Sequence, residues 1–279
     1  MISAMNAAAL RRIRHLALDL DGTLYKGGTL FAFSRPFLAA MRELGIGLTF
    51  LTNNPTKSAA DYRASLVRLG IECTPGQIYT SSLATIDWLR RERPQIRRLY
   101  LLGTPSMEAE FAAAGFALTA DDPRDEPDAV LVGFDLTLTY AKLCRAAWWV
   151  KRGRSFLATN PDLVCPTDQP TVLVDCGSIC AAIEKAAGRG PDKVFGKPDP
   201  AMLTGIMARH GLAANEIAMV GDRLYTDIAM ARNAGAHGVL VLTGEATAAD
   251  AAAAQPPPDL VAPSVAELGE WLLAARSAG

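Results

Sequence analysis

The sequence predicts an α/β fold built around a parallel sheet, and three observations carry this prediction. Short, continuously apolar runs alternate with amphipathic segments of helix length, as they do in βαβ units. The alternation is present near both ends of the chain and again in its middle. Three of the apolar runs end in polar residues, at Asp19, Thr52 and Asp222, and such residues are typical of the ligand-binding edge of a parallel sheet.

The first part of the chain is predicted to alternate strand and helix. Parallel strands are buried on both faces and are therefore apolar throughout, whereas the helices show a period close to the helical turn. The predicted elements are a strand at His15–Leu20, a helix near Phe37–Leu44, a strand at Gly47–Leu51 and a helix near Lys57–Leu69.

The same pattern resumes late in the chain, after a separate middle block. The late elements are a helix over Pro200–His210, a strand at Ile217–Val220, a helix over Thr226–Ala234, a strand at Gly238–Leu242 and a helix near Val265–Ala275. The middle block has strands at Leu99–Leu102, Ala129–Gly133 and Ser155–Thr159, with helices near Met107–Ala114, Tyr140–Val150 and Cys180–Ala187. We expect a core domain of residues 1–82 and 192–279 and an inserted domain of residues 83–191, with continuation of a single sheet as the alternative.

Composition favours a protein that acts on a small molecule. The 279 residues, half of them apolar, suffice for one large core or two smaller ones. The 28 basic and 29 acidic residues nearly cancel, which argues against nucleic acid or an anionic membrane surface as the partner. No apolar stretch reaches the ~20 residues of a membrane-spanning helix, and no secretory signal is recognisable, so we expect a cytoplasmic protein.

The polar residues at the strand ends have the chemistry of a magnesium site that handles phosphate. Asp19 and Asp21 are two residues apart on a strand and project to the same side, and Asp222 follows a separate strand. Their carboxylates are the hard oxygen ligands that Mg²⁺ prefers. A metal that neutralises phosphate allows a carboxylate such as Asp19 to attack phosphorus. Taken singly, each piece also fits an ordinary turn, and a lone Lys197 fits a solvated surface charge.

Four segments, in order along the chain, resemble the motifs of the haloacid dehalogenase-like hydrolase superfamily. They are Asp19–Leu24, Leu51–Asn54, Gly196–Pro198 and Val220–Ile228. Within that superfamily the sequence is similar to the NagD-like branch, which includes p-nitrophenyl, phosphoglycolate and pyridoxal phosphatases. The segments that carry this likeness are Thr52–Asn54, Ala158–Asp162, Cys176–Ser178 and Gly196–Pro198. The resemblance implies a Rossmann-like parallel-sheet core with an inserted α/β cap domain.

The resemblance also implies a role for each residue of the motifs. Asp19 would attack phosphorus and become an aspartyl phosphate, while Asp21 would protonate the leaving group and later activate water. Thr52, Asn53, Asn54 and Lys197 would bind the phosphate, and Lys197 would also balance the charge of the nucleophile. The implied Mg²⁺ site consists of Asp19, Asp21, Asp222 and Asp227. The expected activity is hydrolysis of a small phosphomonoester, such as a sugar phosphate, a nucleoside monophosphate, phosphoglycolate or pyridoxal phosphate.

In this branch the cap carries the residues that select the substrate. The candidates for substrate contact are Asn160, Asp162, Cys176, Gly177 and Ser178. Their other interpretation is structural, as a turn after a strand and a loop before a helix. Caps pair in some relatives, so a homodimer formed through the cap is an open alternative.

Three other functions compete with phosphatase activity. A phosphoaspartate receiver domain also places acidic residues, a threonine and a lysine at strand ends, but a receiver is one doubly wound domain without a mid-chain insertion. A silent phosphate-binding relative would have lost catalytic residues, and every predicted one is present here. A dehalogenase or phosphotransferase of the same superfamily is the nearest alternative, although Asp21 favours a phosphatase, because a dehalogenase has no leaving oxygen to protonate.

Overall fold

The computed structural model describes residues 7–165 and 169–277 and confirms an α/β fold. The strands are β1 (His15–Asp19), β2 (Tyr25–Lys26), β3 (Thr29–Leu30), β4 (Gly47–Thr52), β5 (Ile78–Thr80), β6 (Arg98–Leu102), β7 (Ala117–Leu118), β8 (Ala129–Val132), β9 (Ser155–Ala158), β10 (Val164–Cys165), β11 (Leu173–Val174), β12 (Lys193–Val194), β13 (Ile217–Gly221), β14 (His237–Val241) and β15 (Leu260–Ala262).

Helices connect most of these strands, as expected for parallel pairing. They are α1 (Ala7–Arg12), α2 (Ser34–Glu43), α3 (Ala59–Arg68), α4 (Ser81–Glu92), α5 (Pro105–Ala113), α6 (Tyr140–Lys151), α7 (Cys176–Ala187), α8 (Ala201–His210), α9 (Ala229–Asn233), α10 (Ala248–Ala253) and α11 (Val265–Ser277). Among the described residues, no helix is long and apolar enough to cross a membrane.

The chain divides into two compact units. The first contains residues 7–52, Tyr62–Tyr79 and 197–277, and the second contains Asn53–Asp61 and Thr80–Gly196. The predicted boundary between residues 82 and 83 would divide helix α4, which the sequence pattern did not reveal. The assignment of residues 83–191 as a cap stays a prediction.

The first unit contains a sheet of order β15-β14-β13-β1-β4-β5. β1 pairs in parallel with both β13 and β4. The central strands are apolar and buried, as a sheet covered on both faces requires: four residues of β1 and all five of β13 are buried. Helix α11 packs against α1 and α2 in this unit.

The second unit contains a parallel sheet of order β12-β9-β8-β6-β7. Its core gathers Val130, Val132 and Phe156 from the strands, with Trp149 of α6, which is only 1% exposed. The neighbouring Trp148 is 36% exposed and belongs to the surface of the same helix. A short antiparallel hairpin, β10–β11, precedes α7.

Candidate active site

Three neighbouring strand ends in the first unit form the candidate active site. β1 ends at Asp19, β4 ends at Thr52, and β13 ends at Gly221, directly before Asp222. Because β1 pairs in parallel with both neighbours, these ends lie at the same edge of the sheet. The chain continues from β1 to one side and returns later to the other, so this edge is a topological switch point, where open parallel sheets bind their ligands.

A largely buried cluster of three carboxylates and one lysine lies at this edge. One oxygen from each of Asp19, Asp222 and Asp227 lies within 4.8 Å of the other two. Lys197 Nζ donates hydrogen bonds to Asp19 Oδ1 and, at 2.7 Å, to Asp227 Oδ1. Lys197 is 5% exposed and Asp227 is fully buried. When all three carboxylates are ionised, one ammonium leaves an excess of negative charge in a site with little water.

The pKa values of the cluster reflect burial first and this excess charge second. Burial raises the pKa of Asp19 to about 7, Lys197 acts to lower it, and Asp227 and Asp222 raise it. Burial and the charge of Asp227 also raise the pKa of Asp222. Burial acts to lower the pKa of Lys197, but Asp19 and Asp227 outweigh it and hold that pKa above its ordinary value. The lysine is therefore charged, and the carboxylates favour a second cation.

The carboxylate oxygens fit a hard divalent cation. Asp222 is 3% exposed, and its Oδ2 accepts a hydrogen bond of 2.7 Å from the backbone N–H of Glu245. Its Oδ1 is buried and has no hydrogen-bond partner among the described residues. A buried acceptor without a donor is costly, and coordination of a cation would satisfy it. Carboxylate oxygens are also the ligands that Mg²⁺ and Ca²⁺ take.

Asp21 differs from the other predicted metal ligands. Its side chain is exposed and is not part of the carboxylate cluster. Its Oδ1 accepts a hydrogen bond of 3.3 Å from the backbone N–H of Gly27. The structure thus brings Asp19, Asp222 and Asp227 together and leaves the side chain of Asp21 outside that group.

Two glycines allow the close packing of the cluster. Gly22 has φ of +79°, and a Cβ there would lie 2.4 Å from Asp222 Oδ2. A Cβ on Gly221 would lie 2.2 Å from Asp227 Cγ. Any side chain at either position would displace a carboxylate, which explains the Asp-Gly and Gly-Asp pairs of the motifs in physical terms.

The residues after Thr52 belong to the second unit, where their side chains are tied to that unit's own loops. Asn53 Nδ2 donates to Asp162 Oδ2 at 3.0 Å. Asn54 Oδ1 accepts from the backbone N–H and the hydroxyl of Thr56, at 2.9 and 2.7 Å. Their predicted phosphate contacts stay predictions.

The predicted substrate-contact residues form a partly buried hydrogen-bond network in the second unit. Asn160 is fully buried, and its Nδ2 donates to Asp162 Oδ2 and to Asp175 Oδ1, each at 3.1 Å. Cys176 is also fully buried and donates from Sγ to the Val132 carbonyl at 3.2 Å.

The next two residues close this loop. A Cβ on Gly177 would lie 2.3 Å from the carbonyl oxygen of Pro161, so only glycine fits there. Ser178 Oγ donates to the Leu163 carbonyl at 2.7 Å. Each of these contacts holds the loop together, and substrate contact by these residues stays a prediction.

Sequence reasoning missed one segment at the site, Thr243–Glu245, which follows β14. Glu245 supplies the N–H that binds Asp222, and Thr243 Oγ1 donates to the Gly22 carbonyl at 2.5 Å. The sequence signal that identified the other strand ends is also present here: Thr243 and Gly244 are polar or small residues directly after the apolar run Gly238–Leu242.

The chain belongs to the haloacid dehalogenase-like hydrolase family. The family model of haloacid dehalogenase-like hydrolases matches residues 16–117, and a second, HAD-hydrolase-like model matches residues 194–268. Together these matches include β1, β4 and β13 with the polar residues at their ends.

Comparison with relatives and with solved structures identifies the type of hydrolase. The ribonucleotide monophosphatase NagD of Escherichia coli is 32% identical over 256 residues, which cover 92% of this chain and 98% of NagD. A 4-nitrophenylphosphatase structure from Thermotoga maritima has a TM-score of 0.87 and 38% identity, covering 94% of this chain and 98% of its own. A glycerol phosphate phosphatase from Mycobacterium tuberculosis, in complex with magnesium, has a TM-score of 0.84 and 32% identity, with 95% and 77% covered. This chain is a phosphatase of the NagD type, and the predicted family, fold class and enzyme class are confirmed.

Proposed function

We propose that this protein is a Mg²⁺-dependent phosphatase that hydrolyses a small phosphomonoester through an aspartyl phosphate on Asp19. The observation that carries the proposal is the cluster of Asp19, Asp222 and Asp227 around Lys197, with Asp222 Oδ1 buried and without a hydrogen-bond donor. The magnesium complex of a relative with the same fold supports the choice of metal.

Asp19 and Asp222 would bind Mg²⁺ directly, and Asp227 would orient the site without binding the ion. Bound Mg²⁺ supplies positive charge that offsets the charge of the phosphate and of the carboxylates around it. Asp227 Oδ1 is engaged by Lys197, and its Oδ2 accepts from the backbone N–H of Arg223 at 3.1 Å. These bonds leave Asp227 suited to positioning rather than to direct ligation.

The reaction takes two steps, and atoms and protons balance in each. An Asp19 carboxylate oxygen forms a bond to phosphorus while the bond from phosphorus to the ester oxygen breaks, and Asp21 gives that oxygen a proton. Water then attacks the phosphorus of the aspartyl phosphate and loses a proton to Asp21, and the bond from phosphorus to Asp19 breaks. Exposure of Asp21 suits this role, because a group that transfers protons twice must reach both leaving group and water.

Lys197 and Thr52 would stabilise the negative charge of the substrate's phosphate. Lys197 keeps its proton beside Asp19, so a phosphate oxygen drawn to the nucleophile meets a fixed positive charge. Thr52 ends β4 at the same edge of the sheet and, with the predicted Asn53 amide, would bind phosphate oxygens.

The substrate is a small phosphorylated metabolite, and residues 83–191 would select it. The relatives act on substrates as different as ribonucleotides and glycerol phosphate. The hydrolytic core is therefore compatible with many leaving groups, and the selection falls to the inserted domain.

The test is phosphate release from p-nitrophenyl phosphate and from a panel of nucleotide, sugar and glycerol phosphates, with Mg²⁺ and with EDTA. We expect Mg²⁺-dependent release that Asp19→Asn lowers by about 10⁴-fold, because the amide is a poor nucleophile. Asp87→Asn, a change of the same type in α4 of the second unit, is the control and should retain activity. Release that persists in Asp19→Asn, or in EDTA, would contradict the proposal.

A further inference from the structure

Asp222 is held by a segment that belongs to none of the four motifs. The N–H of Glu245 donates to Asp222 Oδ2 at 2.7 Å, and the N–H of Ala246 donates to the Asp222 carbonyl at 3.1 Å. Both the side chain and the backbone of Asp222 are thus bound by the chain that follows β14. This arrangement uses one carboxylate oxygen and leaves Oδ1 as the buried acceptor without a donor.

Gly244 is what allows the segment to approach so closely. A Cβ at this position would lie 1.9 Å from Asp222 Oδ2 and 2.5 Å from Asp222 Cγ. Real Cβ atoms do not come so near, so any other residue would push either the carboxylate or the segment away. Gly22 faces the same oxygen, and a Cβ there would lie 2.4 Å from Asp222 Oδ2 and 3.1 Å from Gly244 Cα. Asp222 Oδ2 therefore lies against two neighbouring glycines, and neither position can carry a side chain unless the carboxylate or the backbone moves.

Side chains tether the segment at both of its ends. Thr243 Oγ1 donates to the carbonyl of Gly22 at 2.5 Å, which ties the segment to the turn after β1. Glu245 Oε2 pairs with Arg223 Nε at 2.9 Å and accepts from the Tyr225 hydroxyl at 3.1 Å. The tethers join the segment to the chain that follows β1 and to the chain that follows β13.

We propose that Thr243–Glu245 is a positioning segment that fixes the Asp222 carboxylate with Oδ2 satisfied and Oδ1 directed to the metal. The inference rests on the proposed Mg²⁺-dependent function and deepens it. Gly244 provides the close approach, the Glu245 amide occupies Oδ2, and the Glu245 side chain stabilises the segment through Arg223. A metal ligand that is held in one orientation binds its ion more tightly than one that must first be ordered.

The experiment measures Mg²⁺ affinity directly, by calorimetric titration of the full chain. We expect Gly244→Ala to raise the Kd for Mg²⁺ by about 100-fold, because the new methyl group displaces the Asp222 carboxylate. Gly76→Ala is the matched control: a Cβ at Gly76 would meet nothing within 4 Å, and its Kd should equal that of the wild type. Circular dichroism and thermal melting establish that each variant is folded.

A second variant keeps the test decisive if Gly244→Ala does not fold. Glu245→Gln keeps a side chain of the same size but removes the charge that pairs with Arg223, and we expect a Kd about 10-fold higher. Its control is Glu216→Gln, which weakens a similar ion pair with Arg14. Glu216 directly precedes β13, whereas Asp222 follows the other end of that strand. That control should bind Mg²⁺ as the wild type does.

The possible outcomes separate this inference from the proposed function. A folded Gly244→Ala or Glu245→Gln protein with the wild-type Kd would overturn the positioning role, because a merely structural segment would lower only the melting temperature. Failure of the wild type to bind Mg²⁺ would overturn the proposed function and this inference with it.

Discussion

Each unit contains a group of aspartate carboxylates, and the two groups are stabilised by different hydrogen-bond donors. In the first unit, Asp19, Asp222 and Asp227 surround the single ammonium of Lys197. In the second, Asn160 Nδ2 donates to Asp162 and Asp175, and the N–H of Cys176 donates to Asp175 at 2.5 Å.

The two groups differ in whether they contain a buried carboxylate oxygen that lacks a hydrogen-bond donor. Among the described residues, Asp222 Oδ1 is buried without a donor, whereas Asp162 and Asp175 have no such oxygen. Neutral amide donors complete the second group as a structural network. Glu110 Oε2, in the second unit, is also buried without a donor, but among the described residues it belongs to no such cluster. The comparison teaches that a leftover buried acceptor indicates a cation where it lies within a cluster of carboxylates.

The largest expected effect comes from removing the only ammonium within the first group. Lys197→Met would leave Asp19 and Asp227 buried beside each other, and we expect a loss of about 3–5 kcal/mol of unfolding free energy in EDTA. Added Mg²⁺ should raise the melting temperature of the variant more than that of the wild type, because the site has become more negative. Lys151→Met, at the exposed end of α6, is the control. A variant as stable as the wild type in EDTA would contradict this view of the cluster.

The next largest expected effect is a difference in Mg²⁺ affinity between a variant of the first group and a variant of the second. Asp222→Asn should raise the Kd for Mg²⁺ by about 100-fold or more, because it neutralises a proposed direct ligand. Asp175→Asn should leave that Kd unchanged, because Asp175 belongs to the other unit's group and its Oδ1 already accepts hydrogen bonds from two amide donors. Calorimetric titration of both variants measures the contrast. Equal affinities for the two would remove the distinction between the groups.

The smallest effect is a pH dependence in the second group. Burial raises the pKa of Asp175 to about 6 from 3.8, although the Cys176 N–H and the Asn160 amide act to lower it. The folded state therefore holds this proton more tightly than the unfolded state does. The stability contributed by the group is complete below its unfolded pKa and is lost as the pH rises through its folded pKa.

Urea denaturation of the wild type and of Asp175→Asn measures this contribution. Between about pH 4 and pH 7.5, we expect the wild type to lose about 2 kcal/mol relative to the variant, which cannot titrate at this position. A difference between the two proteins that does not change with pH would show that the amide donors cancel the effect of burial, and the opposite pH dependence would show that they outweigh it.

Sequence patterns predicted elements well where a long apolar run or a full helical period was present. The runs at His15–Leu20 and Ile217–Val220 correspond to β1 and β13, which are buried throughout most of their length. Strands β7 and β12 have only two residues each, which is too short for any periodicity to appear. Helix α7 was predicted from Cys180 but begins at Cys176. Asp175 is its N-cap and accepts a hydrogen bond from the Cys176 N–H, and the sequence prediction overlooked this capping residue.

The sequence by itself determined the α/β class, the family and the convergence of Asp19, Thr52 and Asp222 at one edge of a sheet. Local composition suffices for this, because parallel strands are apolar along their length and end in polar residues that bind ligands. Only the tertiary structure decided that Asp21 lies outside the carboxylate cluster, that Asn160 is buried, and that the segment Thr243–Glu245 binds Asp222. Such contacts join residues that are distant in sequence, and their geometry depends on how neighbouring strands and turns pack.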